Sequence, residues 1–130
     1  MDVQMDQPNG MPVPWALLES MPESVLVTSP DLERPGPNIL YVNPAFERMT
    51  GWSRDEVLGK SPRFLQGPQT DLSIFSDLRS ALASGEAWRG QTINYRKDGS
   101  EFVMEWSIVP IEDEQASLCC FLAVQHDVTE

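Results

Sequence analysis

The sequence predicts an α+β domain in which one five-stranded antiparallel sheet carries short helices on one face and a flanking helix at its N-terminus. Three observations predict it. Two strand-like segments stand near the start, a group of short capped helices and one longer helix follows, and three strand-like segments close the chain. At 130 residues the chain fits one domain large enough to bury its own core.

Residues 1–12 are polar, carry Pro8, Gly10 and Pro12, and read as a flexible lead-in. The run Pro14-Trp-Ala-Leu-Leu-Glu-Ser20 reads as a short helix with proline in its first turn. It shows Trp15, Leu17 and Leu18 as apolar groups and is too short to stand without docking. Residues 1–22 are therefore expected to form a lead-in and flanking helix, and residues 23–130 the domain proper. Segments 24–29 and 39–42 read as paired strands joined by a loop over 31–37 that holds three closely spaced breakers.

Asn43-Pro44 supplies an N-cap and a proline for the first helical position, and Gly51 ends that helix. Ser53-Arg-Asp-Glu56 is a capping box that opens a second short helix, stopped at Gly59. After Thr70, the residues Ile74, Phe75, Leu78 and Leu82 recur at helical spacing before Gly85, which predicts the longest helix. Strands are expected over 91–97, 101–111 and 118–128, with Asp98-Gly99 as a hairpin turn.

Strand parity orients these side chains. Phe102, Met104, Trp106 and Ile108 share one face of the middle strand, and Gln125 shares its face with Ala123, Phe121 and Cys119. Cys120, Leu122 and Val124 form an opposite apolar set that needs a cover. The N-terminal helix, a second copy of the domain or a C-terminal continuation would supply one.

A net charge of -11, from 20 acids and nine bases, argues against nucleic-acid and anionic-membrane partners. No apolar run approaches the roughly 20 residues of a membrane span, and no basic segment followed by an apolar one opens the chain. A cytoplasmic location is expected. The two cysteines, Cys119 and Cys120, are adjacent, which suits neither a disulfide framework nor spaced zinc ligands. An enzyme reading finds no nucleophile-base pair, phosphate loop or metal cluster, and the single histidine, His126, has outward parity.

The run Gly59-Lys-Ser-Pro-Arg-Phe-Leu-Gln66 resembles the flavin-contacting signature of LOV photosensor domains, a branch of the PAS superfamily. Asn43-Pro-Ala-Phe-Glu-Arg-Met-Thr-Gly51, Asn94-Tyr-Arg-Lys-Asp-Gly99 and Phe121-Leu-Ala-Val-Gln125 extend the resemblance over residues 25–129. It implies a five-stranded PAS fold with FMN as cofactor, or FAD if a helix and loop rearrange to admit the adenine end. By resemblance Arg63 and Arg79 contact the phosphate, for which guanidinium suits paired hydrogen bonds. Gln66 and Asn94 fall where the ribityl chain and ring are hydrogen-bonded, and Gln125 beside ring atoms N5 and O4. Pro62, Leu65, Met104 and Phe121 complete the cofactor-contacting set. No metal is expected, and the lack of a histidine on the long helix disfavours haem.

The chain departs from the family pattern twice. Pro62 stands where the photoreactive cysteine would, so the usual cysteine adduct is excluded there. Met104 replaces a second asparagine, at a cost of about 1 kcal/mol in net hydrogen bonding. Cys119, six residues from Gln125 and roughly 20 Å along a strand, does not substitute as the thiol. What the resemblance still implies is a sensor that answers blue light or redox state by flavin reduction. Trp106, Trp52, Trp88 and Tyr95 are its possible electron donors, with Trp106 favoured by parity.

Asp127-Val-Thr129 resembles the motif that couples PAS domains to a following helix. That implies a C-terminal effector such as a histidine kinase or a cyclic-dinucleotide enzyme, with a homodimer through the sheet face or the N-terminal helix. The alternative is a cofactor-free PAS module for dimerisation and signal relay, with Met104 and Trp106 filling the pocket. A different small-molecule ligand is a third option.

Overall fold

The computed structural model describes residues 14–33 and 37–129. The expected lead-in over residues 1–12 and the central breakers of the first loop lie outside them.

Five strands, β1 (Ser24–Thr28), β2 (Ile39–Val42), β3 (Trp88–Tyr95), β4 (Glu101–Glu112) and β5 (Leu118–Asp127), form one sheet in the order β2-β1-β5-β4-β3. All four neighbouring pairs are antiparallel. The first strand pair is thus completed by the last strand, which places β1 and β5 in the interior of the sheet. All five residues of β1 are buried, because both of its faces are covered.

One face is covered by the segment between β2 and β3. Asn43 caps α2 (Pro44–Thr50) by accepting from the Phe46 amide, and Gly51 closes that helix in the left-handed conformation at φ 81°. The capping box expected at Ser53 and Glu56 is formed at the start of α3 (Arg54–Val57). A single 3-10 turn, Pro62–Leu65, comes next, and then α4 (Ile74–Ala83). Phe46, Val57, Leu65, Leu78 and Leu82 from these elements meet Leu26, Ile39, Ile108, Phe121 and Ala123 of the sheet in the larger of two apolar clusters.

The opposite face is covered by α1 (Trp15–Ser20), the flanking helix expected from sequence. Its Trp15 and Leu18 pack with Val25, Val27, Tyr41, Cys119 and Cys120. The Trp15 and Tyr41 ring centroids are 4.3 Å apart. Arg54 Nη2 donates to Glu19 Oε2 at 2.7 Å, the Tyr41 hydroxyl donates to the same oxygen, and Arg54 also donates to the Val42 carbonyl oxygen. A six-residue helix is unstable alone; this cluster holds it.

One parity assignment is corrected. Cys119 does not share the face of Gln125 but packs beside Cys120 in the outer cluster. Ile111 pairs with Cys120 while Glu112 pairs with Leu118, so Cys119 is the extra residue of a β-bulge. A bulge interrupts the period of two. Burial first, and then the hydrogen bond that the Cys120 thiol donates to its neighbour Cys119, raise that thiol from 9.0 to about 12. Burial and the adjacent Glu19 carboxylate also raise the Tyr41 phenol.

Asn43 joins the two layers. Its Oδ1 accepts from Val25 N at 2.9 Å and from Phe46 N at 3.0 Å, and its Nδ2 donates to Leu18 O at 3.0 Å and Glu23 O at 2.8 Å. The side chain is fully buried. Asn43→Ala removes four bonds at once and orphans buried donors, and a loss of about 3 kcal/mol is expected in urea unfolding.

The raised Cys120 and Tyr41 values also set an alkaline limit. Both groups stay protonated in the fold when the unfolded chain has already lost those protons. The stability the Cys120 thiol contributes is complete below pH 9.0 and is lost as pH climbs toward about 12, while that of Tyr41 is complete below 10.0 and is lost over a higher range. Thermal melts between these limits are expected to fall steadily, and Cys120→Ala is expected to flatten part of the slope.

Candidate functional site

Between the sheet and the covering helices lies a cavity of about 500 Å³. That is within the range of small-molecule and cofactor sites. Pro62, Arg63, Leu65, Gln66, Arg79, Asn94, Met104, Phe121 and Gln125, the nine positions singled out from sequence, all line it.

The two arginines reach it from different elements. Pro62 occupies the first position of the 3-10 turn, where its missing N–H costs nothing, and Ser61 caps the turn by accepting from the Arg63 amide. Arg63 Nη1 donates to Ser61 Oγ at 3.0 Å, which holds the half-buried guanidinium close to its own backbone. The turn is tied to the sheet edge, because Gly59 N donates to Ile39 O at 2.9 Å and Ile39 N to Lys60 O at 2.8 Å. Arg79 is exposed and comes from α4. In a chain of net charge -11, two guanidiniums lining one cavity are a local exception that favours an anionic group there.

After the turn the chain is pinned to β3. The Thr70 hydroxyl donates to Ile93 O at 2.6 Å and accepts from Gly67 N at 3.0 Å. Gly67 is required: a Cβ there would stand 2.3 Å from Cε1 of Tyr95. The Tyr95 hydroxyl in turn accepts from Gln69 N at 2.9 Å. Gln66, immediately before this contact, is thus held at the cavity by the glycine that follows it.

The sheet supplies the amide wall. Asn94, Met104 and Gln125 are each at most 5 % exposed. Asn94 Nδ2 donates to Met104 Sδ at 3.6 Å, a weak acceptor in place of an amide oxygen. Gln125 Oε1 accepts from Ser24 Oγ at 2.9 Å, a buried bond between β5 and β1. Gln125 thereby connects the cavity to the start of the first strand.

Of the four aromatic residues considered as electron donors, Trp106 lines the cavity and Trp52, Trp88 and Tyr95 do not. Trp52 packs edge-on against Phe64, with the Lys60 and Lys97 ammonium groups over its ring. Sequence reasoning missed Thr92, which lines the cavity and whose Oγ1 accepts from Trp106 Nε1 at 2.9 Å. Its parity with Asn94 was the available signal. It also missed Leu26, Leu78, Leu82 and Ala123 as wall residues, which read as ordinary core. Among the described residues no group of acids, histidines and cysteines is arranged to hold a metal, and no helix is long and apolar enough to cross a membrane.

The sequence matches the family model for the PAS domain over residues 22–130. It is 36 % identical over 113 residues to phototropin-2 of Oryza sativa subsp. japonica, a match covering 87 % of this chain and 12 % of that protein. The chain therefore spans only a small part of that relative. Its fold superposes with a TM-score of 0.76, at 34 % identity, on the LOV domain from the Erythrobacter litoralis EL346 blue-light activated histidine kinase, covering 85 % of this chain and 99 % of that one. A Light-Oxygen-Voltage domain studied with a flavin analogue gives a TM-score of 0.76 at 35 % identity, covering 83 % of this chain and 78 % of that one.

Proposed function

The chain belongs to the PAS family and to its LOV-type domains, and on that premise we propose that it is a cytoplasmic sensor module that binds FMN and responds to blue light or redox state without a cysteine adduct. The observation that carries this is the cavity, which collects all nine expected residues. Their chemistry fits the cofactor: two guanidiniums for a phosphate, the amides of Gln66, Asn94 and Gln125 for polar ring and ribityl groups, and Leu65 and Phe121 as apolar walls. A bound flavin supplies absorption of blue light and one-electron reduction.

Pro62 has no thiol to offer. The response then falls to residues that can rearrange their hydrogen bonds, and Gln125 is the one best connected. Rotation of its amide exchanges Oε1 for Nε2 opposite Ser24, whose hydroxyl changes from donor to acceptor. The change is felt on β1 through Ser24 and on β5 through Gln125 itself. Two residues beyond Gln125, Asp127 Oδ1 accepts from Thr129 N at 2.9 Å and Asp127 Oδ2 from Arg96 Nη2. Val128 N donates to Val103 O at 2.9 Å, and Val103 N to Thr129 Oγ1 at 2.8 Å. This closed end of β5 suits the transfer of a change in Gln125 to a following effector.

The purified, unreconstituted protein is expected to show the structured blue absorption band of a bound flavin. A colourless protein that also refuses added FMN and FAD would favour the cofactor-free relay module. Arg63→Ala with Arg79→Ala is expected to weaken FMN binding by roughly 1.5–3 kcal/mol for each lost charged hydrogen bond, or about 10- to 100-fold in Kd per arginine. Titration of the unloaded protein with FMN measures it, and an unchanged Kd would put the phosphate elsewhere. Pro62→Cys, loaded with FMN, is expected to bleach in blue light and recover in the dark; a loaded variant that does not bleach would rule out the usual ring pose.

A further inference from the structure

Trp106 stands in a row of directly paired residues that crosses four strands. It pairs with Gly90 on β3 and with Gln125 on β5, and Gln125 pairs with Ser24 on β1. The Trp106 indole lines the cavity, and its donation to Thr92 Oγ1 fixes the ring. Trp88 lies two residues before Gly90, on the same face of β3, and is half-buried without lining the cavity.

Gly90 is what brings the two indoles together. Directly opposite Trp106 it offers no side chain, and the Trp88 ring lies over the space. A Cβ built at Gly90 would stand 2.6 Å from Cη2 and 2.6 Å from Cζ2 of Trp88. The Trp88 and Trp106 centroids are consequently 5.0 Å apart, with the planes inclined at 62°. Packing alone gives little reason for this arrangement. What an aromatic pair adds beyond its buried area is largely offset by the cost of placing glycine inside a strand.

We propose that Trp88 and Trp106 form a two-step electron relay from solvent to the cavity. The proposal rests on the flavin reading of that cavity. Under blue light one electron leaves the Trp106 indole for the bound ring. Trp88 then gives an electron to Trp106, and a soluble thiol gives one to Trp88 and releases its proton to water. Two thiyl radicals from successive turns couple to a disulfide, so one thiol is oxidised for each electron delivered. The proton released balances the one the reduced ring takes up. The Thr92 hydroxyl is not basic enough to remove the Trp106 Nε1 proton, so the charge deficit stays cationic and moves to Trp88 without a proton transfer.

Trp106→Phe, Trp88→Phe and Gly90→Ala test the relay, the last because it keeps both indoles but displaces Trp88. In the unloaded protein the indole pair is expected to give an exciton couplet in circular dichroism that all three variants lose. In FMN-loaded protein with dithiothreitol, photoreduction is expected to slow several-fold in each, and a tryptophan radical is expected in transient absorption of the parent but not of Trp106→Phe. Trp88→Tyr, which keeps an oxidisable ring, is expected to retain most of the rate. A loaded parent without a tryptophan radical, or loaded Phe variants that photoreduce at the parent rate, would overturn the relay and leave the flavin reading standing. A chain that keeps its couplet but takes up no flavin would overturn that reading and the relay with it.

Discussion

The row Ser24, Gln125, Trp106 and Gly90 is the constraint on which the site depends. Each residue is the direct partner of the next across an antiparallel ladder, so all four face the same side of the sheet. Because the side-chain period is two, a slip of one residue in any of the three pairings would turn Gln125 or Trp106 to the outer face. Interior placement of β1 and β5 makes such a slip costly, since both faces of these strands are packed. The fold thus fixes the register, and the register fixes which groups meet in the cavity.

Much of this was legible in sequence because local rules and the long-range arrangement agree. The Asn43 cap, the capping box at Ser53 and Glu56, and the periodicity of Ile74, Phe75, Leu78 and Leu82 each act over one or two turns and need no tertiary information. The inward set Phe102, Met104, Trp106 and Ile108 follows from parity alone. Two features were not legible. β3 begins at Trp88 rather than at Gln91, because Gly90 breaks the propensity pattern and its role is visible only with Trp88 folded over it. The bulge at Cys119 depends on how β4 and β5 pair, which no single strand records.

The outer face shows how tertiary context replaces intrinsic stability. The helix α1 is held by Trp15 and Leu18 on the apolar set and by Glu19, which both Tyr41 and Arg54 contact. Asn43 adds backbone bonds to Leu18 and Glu23 from the opposite layer. The same residue that caps α2 therefore positions the chain entering β1, and Ser24, the partner of Gln125, follows Glu23 directly. The contacts of Gln125 with Ser24 and of Asn43 with Leu18 and Glu23 thus fall within one short stretch of backbone.

The site also separates holding a ligand from reporting on it. The cationic groups, Arg63 and Arg79, sit on a 3-10 turn and a helix that pack onto the sheet without belonging to it. The amides of Asn94 and Gln125 and the indole of Trp106 belong to the ladder itself. On the flavin reading proposed above, anchoring an anionic tail through the helical layer would cost the sheet no hydrogen bonds, and the wall would be left to answer changes at the ring. Met104 sharpens that division. Its thioether gives Asn94 a weak acceptor, so the β3–β4 part of the wall is only loosely constrained. The more firmly bonded amide is Gln125, so on that reading a rearrangement of the wall would fall on β5, the last strand of the sheet.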